Sequence, residues 1–310
     1  MNIVISGGNG FIGRNLISCL KQIKHINLIT ISRNPSAELT KNTNEYSYEG
    51  LYNGSLNTDI EFFIHLASPN YDYCKDNSLN EGIVDLTQNI LKSLQIYNCK
   101  KFIFFSSCKV YGESSSSTIV HSELSDLMPV SDYAKAKIKA EELIIKELTN
   151  SSINYLIYRL PFVYGYGMKS NVGKLLKIID KSLPVITLRN NHNLKKSFLS
   201  TENINRLISY NINNPSSVNN QIYNISDTEP LSLDAFLKEY KKQAHSRALI
   251  ISIPRSIANL FFNTPLLRNL IIKIFGSFEI DNSKIKRDFK DGLLSSSQAI
   301  RKLILGKMEQ

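Results

Sequence analysis

The chain has 310 residues, of which 42% are hydrophobic and 21% are charged. A chain of this length and apolar content can bury one large core or two fused ones. Its 37 lysines and arginines exceed its 27 aspartates and glutamates, but they are dispersed, which is typical of a generally basic surface and argues against nucleic-acid binding. With no apolar run of membrane-spanning length, no signal segment and four scattered cysteines, we expect a soluble, cytoplasmic protein without transmembrane segment, disulfide framework or metal site.

The first thirty-three residues predict a strand, a glycine turn, a helix and a second strand. An apolar run at 3–5 stops at the sequence GGNGFIG, residues 7–13. Apolar residues then recur at helical spacing from 11 to 23, and a second apolar run at 28–31 closes on Ser32-Arg33.

Three glycines of this turn are spaced for dinucleotide binding. Gly7 can adopt a positive φ, Gly10 lets a pyrophosphate approach the backbone, and Gly13 lets the helix pack closely. The N-terminus of the helix offers free N–H groups and a partial positive charge to phosphates. Because the turn lies between a strand and a helix, it predicts a dinucleotide site rather than an ordinary glycine-rich turn.

The rest of the first half alternates strands with helices, which predicts an α/β fold with a Rossmann-type, doubly wound parallel sheet. Ser131 or Asp132 is the expected N-cap of the last of these helices. The predicted strands are 46–48, 61–66, 101–107 and 154–159, and the predicted helices are 83–97 and 131–148.

The pattern beyond residue 160 is less regular and predicts a smaller, mixed α/β substrate domain. We place the dinucleotide-binding domain at 1–165 and the substrate domain at 166–310, with the chain free to cross back between them. Residues 255–275 are apolar with scattered basic residues, and because Pro265 interrupts them we favour a packed helix pair over a membrane-surface helix. The expected helices are 172–181, 202–212 and 233–244, and the expected extended segments are 183–188, 195–199 and 221–225.

A tyrosine and a lysine four residues apart on a helix place a phenol and an ammonium on one face. An ammonium about 4 Å from the phenol, at an effective dielectric near 20, lowers the phenol pKa by on the order of 3 units before desolvation takes some back. The pattern occurs at Tyr71/Lys75, Tyr97/Lys101 and Tyr133/Lys137. Only the third pair falls early in a predicted helix.

Together these features resemble the extended short-chain dehydrogenase/reductases that act on nucleotide sugars, the NAD(P)-dependent epimerase/dehydratase family. The resemblance runs nearly end to end. It rests on GGNGFIG at 7–13, HLAS at 65–68, SSCKVYG at 106–112, YAKAK at 133–137, RLPFVYGYG at 159–167 and KSFLSTENI at 196–204.

The resemblance implies a catalytic triad of Ser107, Tyr133 and Lys137. Tyr133 would be the acid/base, Lys137 would hold the nicotinamide ribose and lower the tyrosine pKa, and Ser107 would orient the sugar oxygen. It also implies a homodimer formed through the helices at 83–97 and 131–148. The cofactor-binding residues would be Gly7, Gly10, Phe11, Ile12, Gly13, Ser32, Arg33, Leu66, Ala67, Ser68, Tyr133, Lys137 and Pro161. The substrate-binding residues would be Ser107, Phe162, Lys169, Asn171 and Lys196.

The sequence departs from the family pattern at three places. Arg33 stands where NAD-binding members often carry a carboxylate, which favours NADP(H), with NAD as the alternative. Cys108-Lys109 replaces the Asp-Glu pair of the dehydratases, which argues against dehydration. Lys196 replaces a common arginine, so it lacks the bidentate fork for a diphosphate.

Two reactions remain open for the triad. Arg33 and the segments 159–171 and 276–289 favour a 4-keto reductase, since the two segments resemble bacterial reductases of UDP-4-keto-6-deoxy-N-acetylglucosamine in surface-polysaccharide precursor synthesis. The alternative is a nucleotide-sugar 4-epimerase of the UDP-glucose/UDP-N-acetylglucosamine type that retains NAD. A non-catalytic cofactor-sensing protein on the same fold is a remote third reading, because all three triad residues are present.

Overall fold

The computed structural model describes residues 1–35, 44–68, 81–114, 118–189, 194–254, 275–290 and 292–308. The chain divides into two compact units that each use several segments. Unit 1 comprises Met1–Val110, Leu127–Leu160 and Leu207–Tyr223, and unit 2 comprises Tyr111–Asp126, Pro161–Arg206 and Asn224–Gln310.

Unit 1 is built on a seven-stranded sheet. Its strand order is β11-β7-β5-β4-β1-β2-β3, and the strands from β7 to β3 pair in parallel with their neighbours. The central strands are continuous apolar runs because helices cover both faces of such a sheet. The strands are β1 (Asn2–Ser6), β2 (Asn27–Ser32), β3 (Asn44–Ser47), β4 (Phe62–His65), β5 (Lys101–Ser107), β7 (Asn154–Leu160) and β11 (Gln221–Asn224).

Four helices accompany this sheet: α1 (Phe11–Leu20), α2 (Tyr48–Tyr52), α3 (Leu86–Leu94) and α4 (Asp132–Leu148). A π-helical turn precedes α3 and a 3₁₀ turn follows it, so helical structure runs from 81 to 97. The Ser131 side chain caps α4 by accepting a hydrogen bond from the Ala134 N–H at 3.3 Å. The buried face of α4, which includes Ala136, Ala140 and Ile144, packs into the core of unit 1.

Unit 2 contains three two-stranded parallel pairings, β8–β10, β9–β12 and β6–β13. Its buried Asp227 carboxylate accepts hydrogen bonds from the Tyr164 hydroxyl (2.6 Å), the Ser200 N–H (2.9 Å) and the Asn203 amide (2.7 Å), which ties β8 and β10 to the helix that follows. The strands are β6 (Val120–His121), β8 (Phe162–Tyr164), β9 (Val185–Leu188), β10 (Phe198–Ser200), β12 (Ile250–Ile253) and β13 (Glu279–Ile280). The helices are α5 (Asn171–Asp180), α6 (Thr201–Asn213, which continues into unit 1), α7 (Leu233–Gln243), α8 (Ser283–Asp288) and α9 (Ser296–Met308).

The predicted α/β fold with a Rossmann-type parallel sheet is confirmed. Every strand and helix predicted up to residue 244 is present, with ends that shift by a few residues. The short strands β6, β8, β12 and β13, the short helix α2 and the last two helices were not predicted. The helix pair expected at 255–275 lies, but for its last residue, outside the described residues. Within the described ranges, no helix has the length and apolar character needed to cross a membrane.

Candidate active site

The glycine turn after β1 is as tight as the sequence predicted. Gly7 has φ +80°, and a Cβ atom on it would lie 2.5 Å from the Ala67 nitrogen, in the segment after β4. A Cβ on Gly13 would lie 2.4 Å from the Gly7 carbonyl oxygen. Neither distance is compatible with a side chain, so both glycines are required for α1 and the end of β4 to approach the turn.

The N-terminus of α1 fits a dinucleotide phosphate. Gly10 is the N-cap and exposed, Phe11 and Ile12 begin the helix, and its first turn carries no acidic residue. A Cβ on Gly10 would meet nothing nearer than the Gly7 oxygen at 3.2 Å, so space over the turn is open to a ligand rather than filled by protein. Free backbone N–H groups and the helix dipole then favour an anion at this end of α1.

The end of β2 carries both a cation and a carboxylate. The Ser32 hydroxyl donates a 2.9 Å hydrogen bond to Glu45 on the neighbouring strand β3, and the exposed Arg33 follows directly. Arg33 also interacts electrostatically with Tyr48, whose hydroxyl is hydrogen-bonded to Ser6. Sequence reasoning missed Glu45 because its position depends on the pairing of β3 with β2.

Ser68, Ser107 and Tyr133 converge on one point. The Tyr133 hydroxyl forms side-chain hydrogen bonds with both serines, Ser68 after β4 and Ser107 at the end of β5. The Ser107 oxygen also accepts the Lys109 N–H at 3.2 Å, which fixes its rotamer. The three segments meet here because β4 and β5 are adjacent parallel strands whose carboxyl ends lie at the same edge of the sheet.

Lys137 lies one helical turn after Tyr133 and is buried, with 2% of its surface exposed. Its Nζ donates a 2.8 Å hydrogen bond to the Phe105 carbonyl oxygen. The same atom lies 4.5 Å from the centroid of the Phe104 ring and 5.8 Å from that of Tyr133. Burial lowers the pKa of Lys137 to about 7, and the negative charge of Glu141 opposes that effect.

The pKa of Tyr133 moves in the opposite direction from the one expected from the helix spacing. Burial raises it to about 12, and the hydrogen bonds from Ser68 and Ser107 offset only part of the increase. The expectation assumed an ammonium about 4 Å from the phenol in a medium of dielectric near 20. In the structure the Lys137 ammonium binds a carbonyl of β5 instead, and desolvation of the phenol prevails.

A buried histidine lies next to Lys137. His65 Nδ1 is 2.6 Å from the Ser6 hydroxyl, and its Nε2 is 3.2 Å from the Thr87 hydroxyl, which itself donates to the Ile83 carbonyl at 2.6 Å. Because the Thr87 proton is used, Nε2 must donate to Thr87 and Nδ1 must accept from Ser6. Burial, together with the Lys137 charge, lowers the pKa of His65 to about 3, so the ring is neutral.

Of the five expected substrate residues, Ser107 lies in unit 1 and the other four lie in unit 2. Phe162 opens β8 and pairs in register with Phe198 of β10, their rings packed edge to face at 5.8 Å. This pairing joins two of the sequence motifs. Lys169 and Asn171 are exposed at the start of α5.

The remaining predicted residues are placed by backbone hydrogen bonds or by the strand that they follow. Lys196 is held by hydrogen bonds of its N–H to the Leu231 carbonyl (2.8 Å) and of the Leu231 N–H to its own carbonyl (2.9 Å). Pro161 directly follows β7, and Leu66 and Ala67 follow β4. The Leu66 N–H donates to the Ser6 carbonyl at 3.0 Å.

Two buried residues near the triad were missed by sequence reasoning. Glu141, on α4, and Arg159, on β7, form an ion pair with Nη2 2.6 Å from Oε2. The four-residue spacing from Lys137 to Glu141 could have identified the first. Nothing in the sequence pattern identified its partner.

Comparison with known proteins identifies the family of this chain and shows where its fold recurs. A sequence model of the NAD dependent epimerase/dehydratase family matches residues 3–226. The UDP-glucose 4-epimerase of Vibrio cholerae is 27% identical over 200 residues, 64% of this chain and 60%, less than two thirds, of that protein. The GDP-6-deoxy-D-talose 4-dehydrogenase of Aggregatibacter actinomycetemcomitans is 28% identical over 225 residues, 69% of this chain and 72% of that protein. The crystal structure of the UDP-glucuronic acid 4-epimerase of Bacillus cereus with NAD shares the fold, with a TM-score of 0.73 at 19% identity, over 98% of this chain and 96% of that one.

Proposed function

The chain belongs to the NAD dependent epimerase/dehydratase family, and we propose that it is an NAD(P)-dependent oxidoreductase acting on the 4-position of a nucleotide sugar. The hydrogen-bonded pair of Tyr133 and Ser107, with the buried Lys137 one helical turn away, carries this proposal. Two relatives are named for chemistry at the same sugar position, a 4-epimerase and a 4-dehydrogenase.

In the proposed reaction Tyr133 moves a proton at the sugar oxygen while Ser107 holds that oxygen. A phenol whose pKa is raised to about 12 keeps its proton at neutral pH, which is the state required of a donor to a carbonyl oxygen. The Ser107 hydroxyl, fixed by the Lys109 N–H, supplies a second hydrogen bond to the same oxygen. A Tyr133 that keeps its proton suits 4-keto reduction as the direction of the reaction.

The dinucleotide would be held by unit 1. The glycine turn and the N-terminus of α1 would bind the pyrophosphate, Ser32 and Arg33 would lie at the adenosine ribose, and Leu66 and Ala67 would line the cofactor nearer its nicotinamide. Pro161, which the resemblance also assigns to the cofactor, belongs to unit 2. The nicotinamide, when bound, supplies the hydride for the reduction. Lys137 would hold its ribose. The exposed Arg33 supports a preference for NADPH, whose 2′-phosphate it can pair with.

Unit 2 would bind the nucleotide sugar. Phe162, Lys169, Asn171 and Lys196 are the proposed contacts, with the lysines neutralising the diphosphate. The substrate we propose is a UDP-4-keto-6-deoxy-hexosamine, which would place the enzyme in surface-polysaccharide precursor synthesis. We propose a homodimer through α3 and α4.

A second candidate function is a 4-epimerase that retains NAD. The carboxylate of Glu45 on β3, which accepts a hydrogen bond from Ser32 at the end of β2, favours it, because a carboxylate at this place suits ribose hydroxyls and repels a 2′-phosphate. The named 4-epimerase relative also supports this candidate.

The first experiment is to release and identify any dinucleotide that co-purifies, and then to titrate NADPH and NADH into wild type, Arg33→Ala and Glu45→Gln. The reductase predicts an empty protein that prefers NADPH, and Arg33→Ala should weaken NADPH far more than NADH. Retained NAD near one per chain, with equal losses in Arg33→Ala, would replace the reductase by the epimerase. Failure to bind either dinucleotide would contradict both.

A further inference from the structure

A buried ion pair lies one helical turn behind Lys137. The Glu141 carboxylate receives Arg159 Nε at 3.1–3.2 Å and Nη2 at 2.6 Å, and it also accepts a hydrogen bond from the Ser106 hydroxyl. The Glu141 and Arg159 side chains are only 3% and 4% exposed. Ser106 and Arg159 are register partners on β5 and β7, so the three groups are held by the sheet and by α4.

Stability alone gives a weak reason for such a pair. The cost of desolvating two buried charges cancels most or all of their attraction, and apolar residues of similar volume often serve the fold equally well. The pair lies one helical turn from Lys137, the proposed catalytic lysine. This position indicates that the pair acts on the site through Lys137.

The pair is oriented with respect to Lys137. Glu141 shares a face of α4 with Lys137, four residues on. Arg159 approaches Glu141 from β7, and Lys137 lies on the same face of the sheet, against Phe104 and Phe105 of β5 and near His65 of β4. Of the two members of the pair, Glu141 is the one whose charge acts on Lys137.

Among the residues that the structure describes around Lys137, the other groups do not supply a negative charge. Tyr133 on its own helix keeps its proton, because its pKa is about 12. His65 on β4 is neutral, because its pKa is about 3. Phe104 offers a ring face and Phe105 a carbonyl oxygen. Glu141 is thus the carboxylate whose charge offsets the desolvation of Lys137.

We propose that Glu141, oriented by Arg159 and Ser106, is a positioning residue that keeps Lys137 charged beneath Tyr133. Arg159 holds the Glu141 carboxylate through its Nε and Nη2 atoms, and the charge of Glu141 acts on the lysine. The inference rests on the proposed role of Lys137 in the Tyr133 site. It extends the catalytic cluster by a second layer that touches neither sugar nor dinucleotide.

The test is the titration of Lys137 in the full-length, dinucleotide-free protein. Lysine labelled with ¹³C at Cε reports the charge of each amine by NMR, and the Lys137 signal is assigned by its loss in Lys137→Met. The variants are Glu141→Gln, which leaves Arg159 buried and unpaired, and the double variant Glu141→Gln/Arg159→Met, which removes both charges. The exposed Lys139 on the same helix is the internal control.

The proposal predicts a fixed order of titration midpoints for Lys137. Wild type should be highest, the double variant should lie lower, by on the order of one pH unit, and Glu141→Gln should be lowest. Lys139 should not move. Because a lysine is charged below its pKa, the loss of turnover at high pH should begin at a lower pH in the double variant. An unchanged Lys137 midpoint in a folded double variant would show that the pair serves the fold alone.

Glu141→Gln leaves the Arg159 charge buried without its partner and can fail to fold for that reason. The double variant carries neither charge, so it keeps the test available in that case. The NMR titration needs no substrate. A shifted midpoint in a protein that turns over no nucleotide sugar would therefore support the positioning role and overturn only the proposed reaction. Turnover by a double variant with an unshifted midpoint would overturn the positioning role and leave the reaction standing.

Discussion

Replacing Lys137 by methionine should stabilise the fold while abolishing activity. The burial that lowers the Lys137 pKa from 10.5 to about 7 costs the folded state about 4 to 5 kcal/mol near neutral pH, at roughly 1.4 kcal/mol per pKa unit. Methionine removes that cost and fills a similar volume. It also leaves the Phe105 carbonyl without its donor, a loss of about 1–3 kcal/mol. We expect Lys137→Met to raise the free energy of unfolding by about 2 kcal/mol at pH 7.

Urea unfolding at a series of pH values measures this effect. Between pH about 7 and 10.5 the unfolded lysine carries a proton that the folded one lacks, so wild-type stability rises with pH relative to the variant. The advantage of Lys137→Met should therefore shrink across this window. Lys139→Met, at an exposed position of the same helix, should stay within about 0.5 kcal/mol of wild type. A destabilised Lys137→Met, or a difference that does not change with pH, would refute the reasoning.

Two further variants test α4 and its first turn. Tyr133→Phe removes the proton donor but keeps the ring, so turnover should fall by about 10²–10⁴-fold while dinucleotide affinity, measured by calorimetry, stays nearly constant; turnover close to wild type would remove Tyr133 from the mechanism. Ser131→Ala deletes the cap that accepts the Ala134 N–H and should lower the free energy of unfolding by about 1 kcal/mol in urea titrations. Ser131→Asp keeps a capping oxygen and should unfold near the wild-type midpoint, and equal losses in both variants would mean that the cap contributes nothing.

The first half of the fold could be predicted because its physical causes are local. Strands covered by helices on both faces are mostly apolar, so the apolar runs in 3–5 and 101–107 predict buried strands. The glycine turn could be predicted because the positive φ at Gly7 and the close approach at Gly13 exclude side chains, so both positions require glycine. The strands β6 and β13 were missed because each has two residues and exists only through a partner more than 150 residues away.

The sequence allowed us to predict which residues come together in the candidate site, but not how their pKa values shift. Helix periodicity places Tyr133 and Lys137 on one face, and the adjacent strand ends bring Ser107 to them. The direction in which the Tyr133 pKa shifts depends on how strongly the phenol is desolvated. The spacing of residues in the sequence carries no information about that desolvation. The ion pair of Glu141 and the contact of Glu45 with Ser32 depend on partners from other strands.

The segmented composition of unit 1 has a consequence for synthesis on the ribosome. Its edge strand β11 and the loop carbonyls of Pro215 and Val218, which bind the Lys101 ammonium, come from a segment made after Pro161–Arg206 of unit 2. Until that segment emerges, β7 is an open edge whose unpaired backbone groups can recruit other strands. Such long sequence separation also slows folding. A nascent chain arrested near residue 206 should thus be an aggregation-prone intermediate that needs a chaperone, and completion of about twenty more residues should end that need.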